Sequence, residues 1–167
     1  MFYHSKTIKS TVLDKNGAFL GGVISAGVRL TLKALTENTA LLSSISIEAP
    51  KSVIGTNTTE CMQSGLVYGT AAMIDGLLDQ IENELGERPT IVATGGLSKE
   101  IICHCKRDIV YNENLLLDGL RLLGFGLLDL AGREVNLDNC AGGALQYAFA
   151  TQTTLIVVDI SHIIFDS

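Results

Sequence analysis

The sequence predicts an α/β domain, and three observations carry that reading. Strand-like and helix-like patterns alternate along the chain, the arrangement expected when helices pack on a sheet. Residues 57–86 form one long segment of helical periodicity, opened by polar capping residues and closed by a glycine. A β-branched run, Thr90-Ile91-Val92, passes through Ala93 into Thr94-Gly95-Gly96 and then a helix start near Leu97, which is the pattern of a strand-to-helix turn.

Taken in order, residues 8–13 and 18–25 flank Asp14-Lys15-Asn16-Gly17. Asn16-Gly17 predicts a type I′ turn, whose two central positions need positive φ, so the flanking runs should pair antiparallel. Gly21, Gly22 and Gly27 give the outgoing strand a glycine-rich end. Leu30, Leu35 and Leu42 approximate helical spacing and predict a helix over 28–38. "SSISIEAP" alternates and stops at Pro50, as a short extended segment or loop. In the long helix, Thr58 or Asn57 is the expected cap, Glu60 sits in the first turn, and Gly86 is the expected C′ residue. Its expected buried stripe is Met62, Leu66, Gly69, Met73, Leu77 and Ile81. Gly65, Gly69 and Gly76 each cost about 1 kcal/mol against alanine inside a helix; their presence predicts close packing on a neighbouring backbone or helix. A strand at 90–94, a helix over 97–103, a short strand near 108–110 and a helix within "NENLLLDGLRLLGFGLLDLAG" follow, and "TTLIVVDISHII" reads as a buried strand.

Composition narrows the function classes. With 47% hydrophobic and 18% charged residues over 167 positions, the chain can bury one domain core. A net charge of −6 leaves no broad basic surface, so nucleic acid is not an expected partner. An anionic substrate would need local help from backbone amides, a cation or a few lysines. No apolar run reaches the ~20 residues of a membrane span, and "MFYHSKTIKS" holds no apolar core of a secretory signal. The expectation is a cytoplasmic protein whose Cys61, Cys103, Cys105 and Cys140 are reduced thiols.

Several constellations are better explained structurally. Cys103-His104-Cys105 has no second ligand pair for zinc. His4, His104 and His162 show no spacing for a catalytic triad. Asp75, Asp79, Glu82 and Glu84 read as the solvated side of the long helix, and Lys99, Lys106 and Arg107 as a surface cluster with a phosphate-binding alternative. Thr94-Gly95-Gly96 is either a tight turn or a nucleotide corner, where bare backbone lets a base or phosphate approach and the next helix start attracts anions. It is neither GxGxxG nor a P-loop.

Four stretches occur in one line: "GAFLGGVISAGVRLTLKALTENTALL", "VIGTNTTECMQSGLVYG", "IVATGGLS" and "NLLLDGLRLL". Together, over roughly residues 11–123, they resemble the C-terminal half of type III pantothenate kinases, members of the actin-like, sugar-kinase and Hsp70 superfamily. The resemblance implies an incomplete ribonuclease-H-like α/β domain with a mixed sheet. It implies ATP-dependent phosphorylation of pantothenate in coenzyme A biosynthesis, with Mg²⁺ and a monovalent cation (K⁺ or NH₄⁺), and a homodimer. By resemblance Gly95 and Gly96 leave room for the nucleotide, Thr58 of the G-x-N-T stretch contacts pantothenate, and Gly21 and Gly22 match a glycine pair near the cleft. Ala26-Gly27 stands where the family usually has Pro-Gly. Asp118 matches an acidic residue before Gly-Leu, with a packing or capping role.

The same comparison exposes departures. Complete members begin with a half that carries D-x-G-N-T, a phosphate loop, and G-A-D-R, whose aspartate is the catalytic base; neither motif occurs here. "TTLIVVDISHIIFD" resembles the strand into the second phosphate loop, placing Asp159 at a monovalent-cation position, with Ser161-His162 replacing Gly-Thr. Counting back from Asp159 puts Asn139, or with a one-residue slip Asp138, at the base position; Asn cannot accept the proton as a carboxylate does. The expected division is 1–125, the kinase-like half, and 126–167, a tail that is either a rearranged strand and helix or a chance likeness. The alternative function is a non-catalytic nucleotide- or partner-binding relic, such as an accessory regulatory protein.

Overall fold

The computed structural model describes residues 7–38, 42, 44–119 and 155–159. Strands β1 (Thr7–Leu13) and β2 (Phe19–Ala26) form the expected antiparallel hairpin. Its turn differs from the type I′ reading. Gly17 N–H donates to the Asp14 carbonyl at 2.9 Å, so Lys15 and Asn16 occupy the central positions. Gly17 follows them at φ 80. The cause is the Asp14 carboxylate, which accepts from the amides of Asn16 and Ala18, both at 2.8 Å, and draws the turn one residue earlier. A bulge follows: Val12 pairs with Gly21 but Leu13 with Phe19.

Helix α1 (Val28–Glu37) follows. Val28 is its buried residue, and the half-buried Leu32 packs against the main core cluster. Helix α2 (Thr58–Leu85) has Asn57 as N-cap and Gly86 in the left-handed conformation at φ 70. Its buried side overlaps the expected stripe but is shifted from it, with Met73 and Ile81 only partly buried against the core. Met62 and Leu66 are buried, but the row continues through Val67, Ala71, Ile74 and Leu78. The glycines lie on the other side: a Cβ at Gly65, Gly69 or Gly76 would meet nothing within 4 Å. The expected close approach through these glycines is therefore not made among the described residues. Helix α2 packs instead through its β-branched, leucine and alanine positions.

Strands β3 (Thr90–Thr94), β4 (Val110–Tyr111) and β5 (Leu155–Asp159) and the short helix α3 (Ser98–Ile102) follow among the described residues. A helical turn spans 115–119. The remainder of the helix expected after Asn112, and Asp138 and Asn139, lie outside the described residues.

The sheet order is β2-β1-β5-β3-β4. Among the described residues the last strand in sequence is the central one: β5 runs antiparallel to β1 and parallel to β3. This mixed sheet, with helices on it, is the α/β class the sequence predicts, and it fits an incomplete actin-like, ribonuclease-H-like kinase domain. Alternation along the strands divides the core. Ile8, Val12, Ile91, Ile156 and Val158 share one cluster with Val28, with Leu66, Val67, Ala71, Ile74 and Leu78 of α2, and with Ile101. Leu13, Val92 and Val157 form a second cluster, covered by Leu115.

The polar side of α2 is not merely solvated. Asp75 accepts from the amides of Lys106 (2.9 Å) and Arg107 (3.3 Å). The Arg107 guanidinium pairs with Asp79 at 2.5 Å and with Glu82. These carboxylates hold the connection from α3 to β4, and they commit Arg107 to structure rather than to a phosphate. Cys105 is half-buried in the same connection; burial first, then the nearby Asp75 and Cys103, push its thiol up to about 12, so it stays protonated and inert.

Candidate functional site

Because β1 runs against all its sheet-mates, β2, β5, β3 and β4 deliver their carboxyl ends to one edge of the sheet. In open sheets with such an edge, ligands bind in the crevice beyond the strand ends. Four features converge there: the Thr94-Gly95-Gly96 corner, the end of β5 at Asp159, the start of α1 after Gly27, and Asn112 after β4. Register places Asp159 directly between Lys9 and Thr94.

The glycine corner is built locally. Gly95 has φ 104, a conformation that a side chain would strain. Ser98, fully buried, donates its hydroxyl to the Thr94 carbonyl, and its amide donates to the Gly95 carbonyl at 3.1 Å. The corner is thereby fixed while Gly96 stays exposed. The helix behind it, α3, has only five residues, so it supplies little of the dipole expected from the sequence. The corner offers space rather than charge.

Thr58 lies at the first turn of α2 and is exposed. The capping role falls to Asn57, whose Oδ1 accepts from the Glu60 amide at 3.0 Å. Glu60 in turn accepts from the Thr56 amide and hydroxyl, both at 2.8 Å, which hold its carboxyl below the usual range. Thr58 is not the cap, so its hydroxyl is available to a ligand. Thr58→Ala should therefore leave stability within about 0.5 kcal/mol. Asn57→Ala should cost about 1 kcal/mol; chemical denaturation of the two variants checks the pair.

Gly21 and Gly22 fall elsewhere. Gly22 pairs with Thr11, which pairs with Val157, which pairs with Val92. The row of Gly22 is thus mid-sheet, and three strand spacings, roughly 14 Å, separate β2 from β3. A Cβ at Gly22 would stand 2.4 Å from the Ser10 carbonyl oxygen, so this glycine allows two backbones to approach.

Beside the corner lies a cleft of about 480 Å³ that no sequence motif marks. Arg29, Leu32, Lys33 and Thr36 of α1 form one wall, Ser44 to Ile47 the other, and Leu97, next to Gly96, closes it. The second wall has no regular structure but is pinned to α2. Gln63, buried, donates to the Ser46 carbonyl at 3.3 Å and to Glu48 at 3.2 Å, and the Tyr68 hydroxyl donates to the Pro50 carbonyl at 2.8 Å.

The family model described as type III pantothenate kinase matches residues 7–80, spanning β1, β2, α1 and most of α2. Residues 7–80 are thus similar to a segment of type III pantothenate kinases. The type III pantothenate kinase of Acidothermus cellulolyticus is 41% identical over 112 residues, covering 67% of this chain and 44% of that protein. That of Acholeplasma laidlawii is 42% identical over 114 residues, covering 68% and 46%. A third, from Zymomonas mobilis, is 42% identical over 113 residues, covering 66% and 41%. The chain spans under half the length of these curated relatives. The pantothenate kinase resemblance read from the four ordered stretches is thus upheld. Among the described residues no helix is long and apolar enough to cross a membrane.

Proposed function

We propose that this chain forms the nucleotide and pantothenate side of a type III pantothenate kinase and acts in ATP-dependent phosphorylation of pantothenate. The observation that carries the reading is the fixed Thr94-Gly95-Gly96 corner at the carboxyl edge of the sheet, in a chain about 40% identical to such kinases. Gly95 and Gly96 leave room for the adenosine, and Thr58 contacts pantothenate. Asp159, at the end of the central strand, serves a monovalent cation, K⁺ or NH₄⁺, with Mg²⁺ accompanying the phosphates. Gly22 acts by letting β1 and β2 approach, and Gly21, at φ 147, by giving the backbone its turn beside the bulge, rather than by touching nucleotide. Phosphoryl transfer depends on positioning and charge neutralisation. Neither D-x-G-N-T nor G-A-D-R is in the sequence, and Asp138 and Asn139 are the residues proposed for the base position. The protein acts in the cytoplasm as a homodimer; monomer alone by light scattering at micromolar concentration would count against that assembly.

The placement of β5 favours the rearranged-tail division of the chain. A strand resembling the entry to the second phosphate loop occupies the central position, with its carboxyl end beside Thr94. Residues 126–167 on this reading supply in cis a strand that the kinase-like 1–125 half needs.

A coupled ADP-release assay with pantothenate, ATP, Mg²⁺ and ammonium tests the function, with and without a second chain carrying D-x-G-N-T and G-A-D-R. Turnover that requires pantothenate and is abolished by Gly95→Val is expected. No turnover under either condition, with ATP binding absent as well, removes the kinase reading. Measurable nucleotide affinity without complementation would instead favour the non-catalytic relic.

A further inference from the structure

We propose that the outer edge of β2 pairs antiparallel with β2 of a second copy of this chain, across a two-fold axis at Gly22. The contact needs neither nucleotide nor pantothenate and stands apart from the kinase reading.

Folded proteins seldom leave such an edge open. Strand β2 has eight residues, and among the described residues only β1 pairs with it. Exposed edges are ordinarily blunted by charge, by proline or by shortness. The strand, "FLGGVISA", holds no charge and no proline, and it exceeds the usual length of about five or six residues. A bulge interrupts it only at the turn end, where Val12 pairs with Gly21 but Leu13 with Phe19; Gly21 to Ala26 keep a regular register.

The same strand carries an apolar patch. Leu13 and Val157 belong to the second cluster, on the sheet face turned away from α2. Register sets Phe19 beside Leu13, Gly22 beside Thr11 and Ile24 beside Lys9 on that face. Leu115 covers Leu13, Val92 and Val157 there, but β2 is left bare: Phe19 is 61%, Leu20 55% and Ile24 72% exposed.

Charge and register select a second copy as the occupant. A partner of different sequence is commonly chosen by complementary charge, and this edge offers none to read. Across a two-fold axis a charge near the centre meets its own like, which is destabilising in a strand pair; an uncharged strand is what a self-contact requires. In a chain of net charge −6, two copies repel over most of their surface, and β2 is a stretch where they do not. Residues directly opposite in an antiparallel pair share a face. An axis through Gly22 therefore sets Leu20 against Ile24 of the second copy, and the symmetry repeats the pair. Both are apolar cross-strand pairs, and Gly22 on the axis puts no side chain between the two edges. The two sheets then continue as one, and both open edges become interior. A homodimer made through any other face would be joined by this contact into a larger assembly.

Sedimentation velocity of the full chain, over micromolar to submillimolar concentrations, tests the contact in wild type, Ile24→Lys and the double variant Leu20→Cys with Ile24→Cys. Ile24 is exposed, so Ile24→Lys should keep the wild-type unfolding midpoint in dilute solution. Wild type is expected to associate as its concentration rises. Ile24→Lys should weaken that step by about tenfold, because the axis loses both apolar pairs at once. Under mild oxidation the double variant should give a covalent dimer in which peptide mapping finds position 20 of one copy joined to position 24 of the other. A homodimer through another face would persist in Ile24→Lys and would not form that link, so the two contacts are distinguishable. Association unchanged in Ile24→Lys, or a double variant without the 20-to-24 link, overturns the edge contact. Wild type that stays monomeric throughout overturns self-pairing and leaves the edge to a strand of a different chain.

Discussion

Ile156→Ala is expected to destabilise the protein by about 2–5 kcal/mol, the cost of emptying a fully buried isoleucine position. Ile156 has 0% exposure and lies in the main core cluster with Ile8, Val12 and Ile91. Its strand is paired on both sides, to Val12 of β1 and Ile91 of β3. Loss of β5 would open two buried strand edges at once and separate the β1–β2 hairpin from the β3–β4 pair, since β1 and β3 are not neighbours. Val157→Pro is harsher: Val157 faces Thr11 on one side and Val92 on the other, and proline is excluded from central strands. No cooperative unfolding transition is expected from that variant. Ile24→Ala is the control. Ile24 is a strand residue of similar chemistry but 72% exposed on the edge strand, so its removal should change stability by no more than about 0.5 kcal/mol. Urea unfolding followed by circular dichroism measures all three. Equal midpoints for wild type and Ile156→Ala would show that the terminal strand is not part of the sheet.

That central strand also marks where sequence reasoning stops. The buried character of Leu155–Asp159 was legible as an aliphatic run, but its position was not, because pairing with β1 and β3 is a non-local choice that periodicity does not encode. Locally determined features fared better. The hairpin, α2 with its Asn57 and Gly86 boundaries, β3, and the short α3 and β4 all follow from caps, glycines and β-branched runs. The Asn16-Gly17 signal misplaces the turn because it ignores the competing Asp14 carboxylate two residues earlier. In α2 the stripe read from periodicity holds at Met62 and Leu66 and in part at Met73 and Ile81, but it misses Val67, Ala71, Ile74 and Leu78 because apolar residues surround much of the helix. Leu77 and Met73 compete with Ile74 and Leu78, and only the tertiary surroundings decide.

The candidate site shows the same division. Thr94-Gly95-Gly96 and Thr58 could be named because each sits in a contiguous stretch with a mechanical reason for its residue types. The cleft beside them could not, because Arg29, Lys33, Ile45, Ile47 and Leu97 come from three separated segments. One signal was available. A basic residue in the first turn of a helix that lacks an acidic one runs against the dipole, and such local conflicts concentrate at functional positions.

Glycine substitutions of opposite sign provide the second large effect. Gly22→Ala should destabilise the protein by about 1–3 kcal/mol, as overpacking does. The added carbon would lie 2.4 Å from the Ser10 carbonyl oxygen and 3.5 Å from Thr11 Cα, and backbone atoms inside a paired ladder cannot yield as a side-chain tip can. Gly65→Ala should do the reverse and stabilise by about 0.5–1 kcal/mol, because α2 is helical there and nothing stands within 4 Å of the new methyl. The contrast separates two reasons for a glycine that the sequence alone merges: at Gly22 the missing side chain is required by a neighbour, at Gly65 no described residue requires it. Thermal denaturation at several protein concentrations decides the matter for Gly65. A gain independent of concentration fits a face open to solvent, whereas a loss that grows as the wild-type protein associates would place a second surface against α2 and make Gly65, with Gly69 and Gly76, the point of close approach in the proposed homodimer.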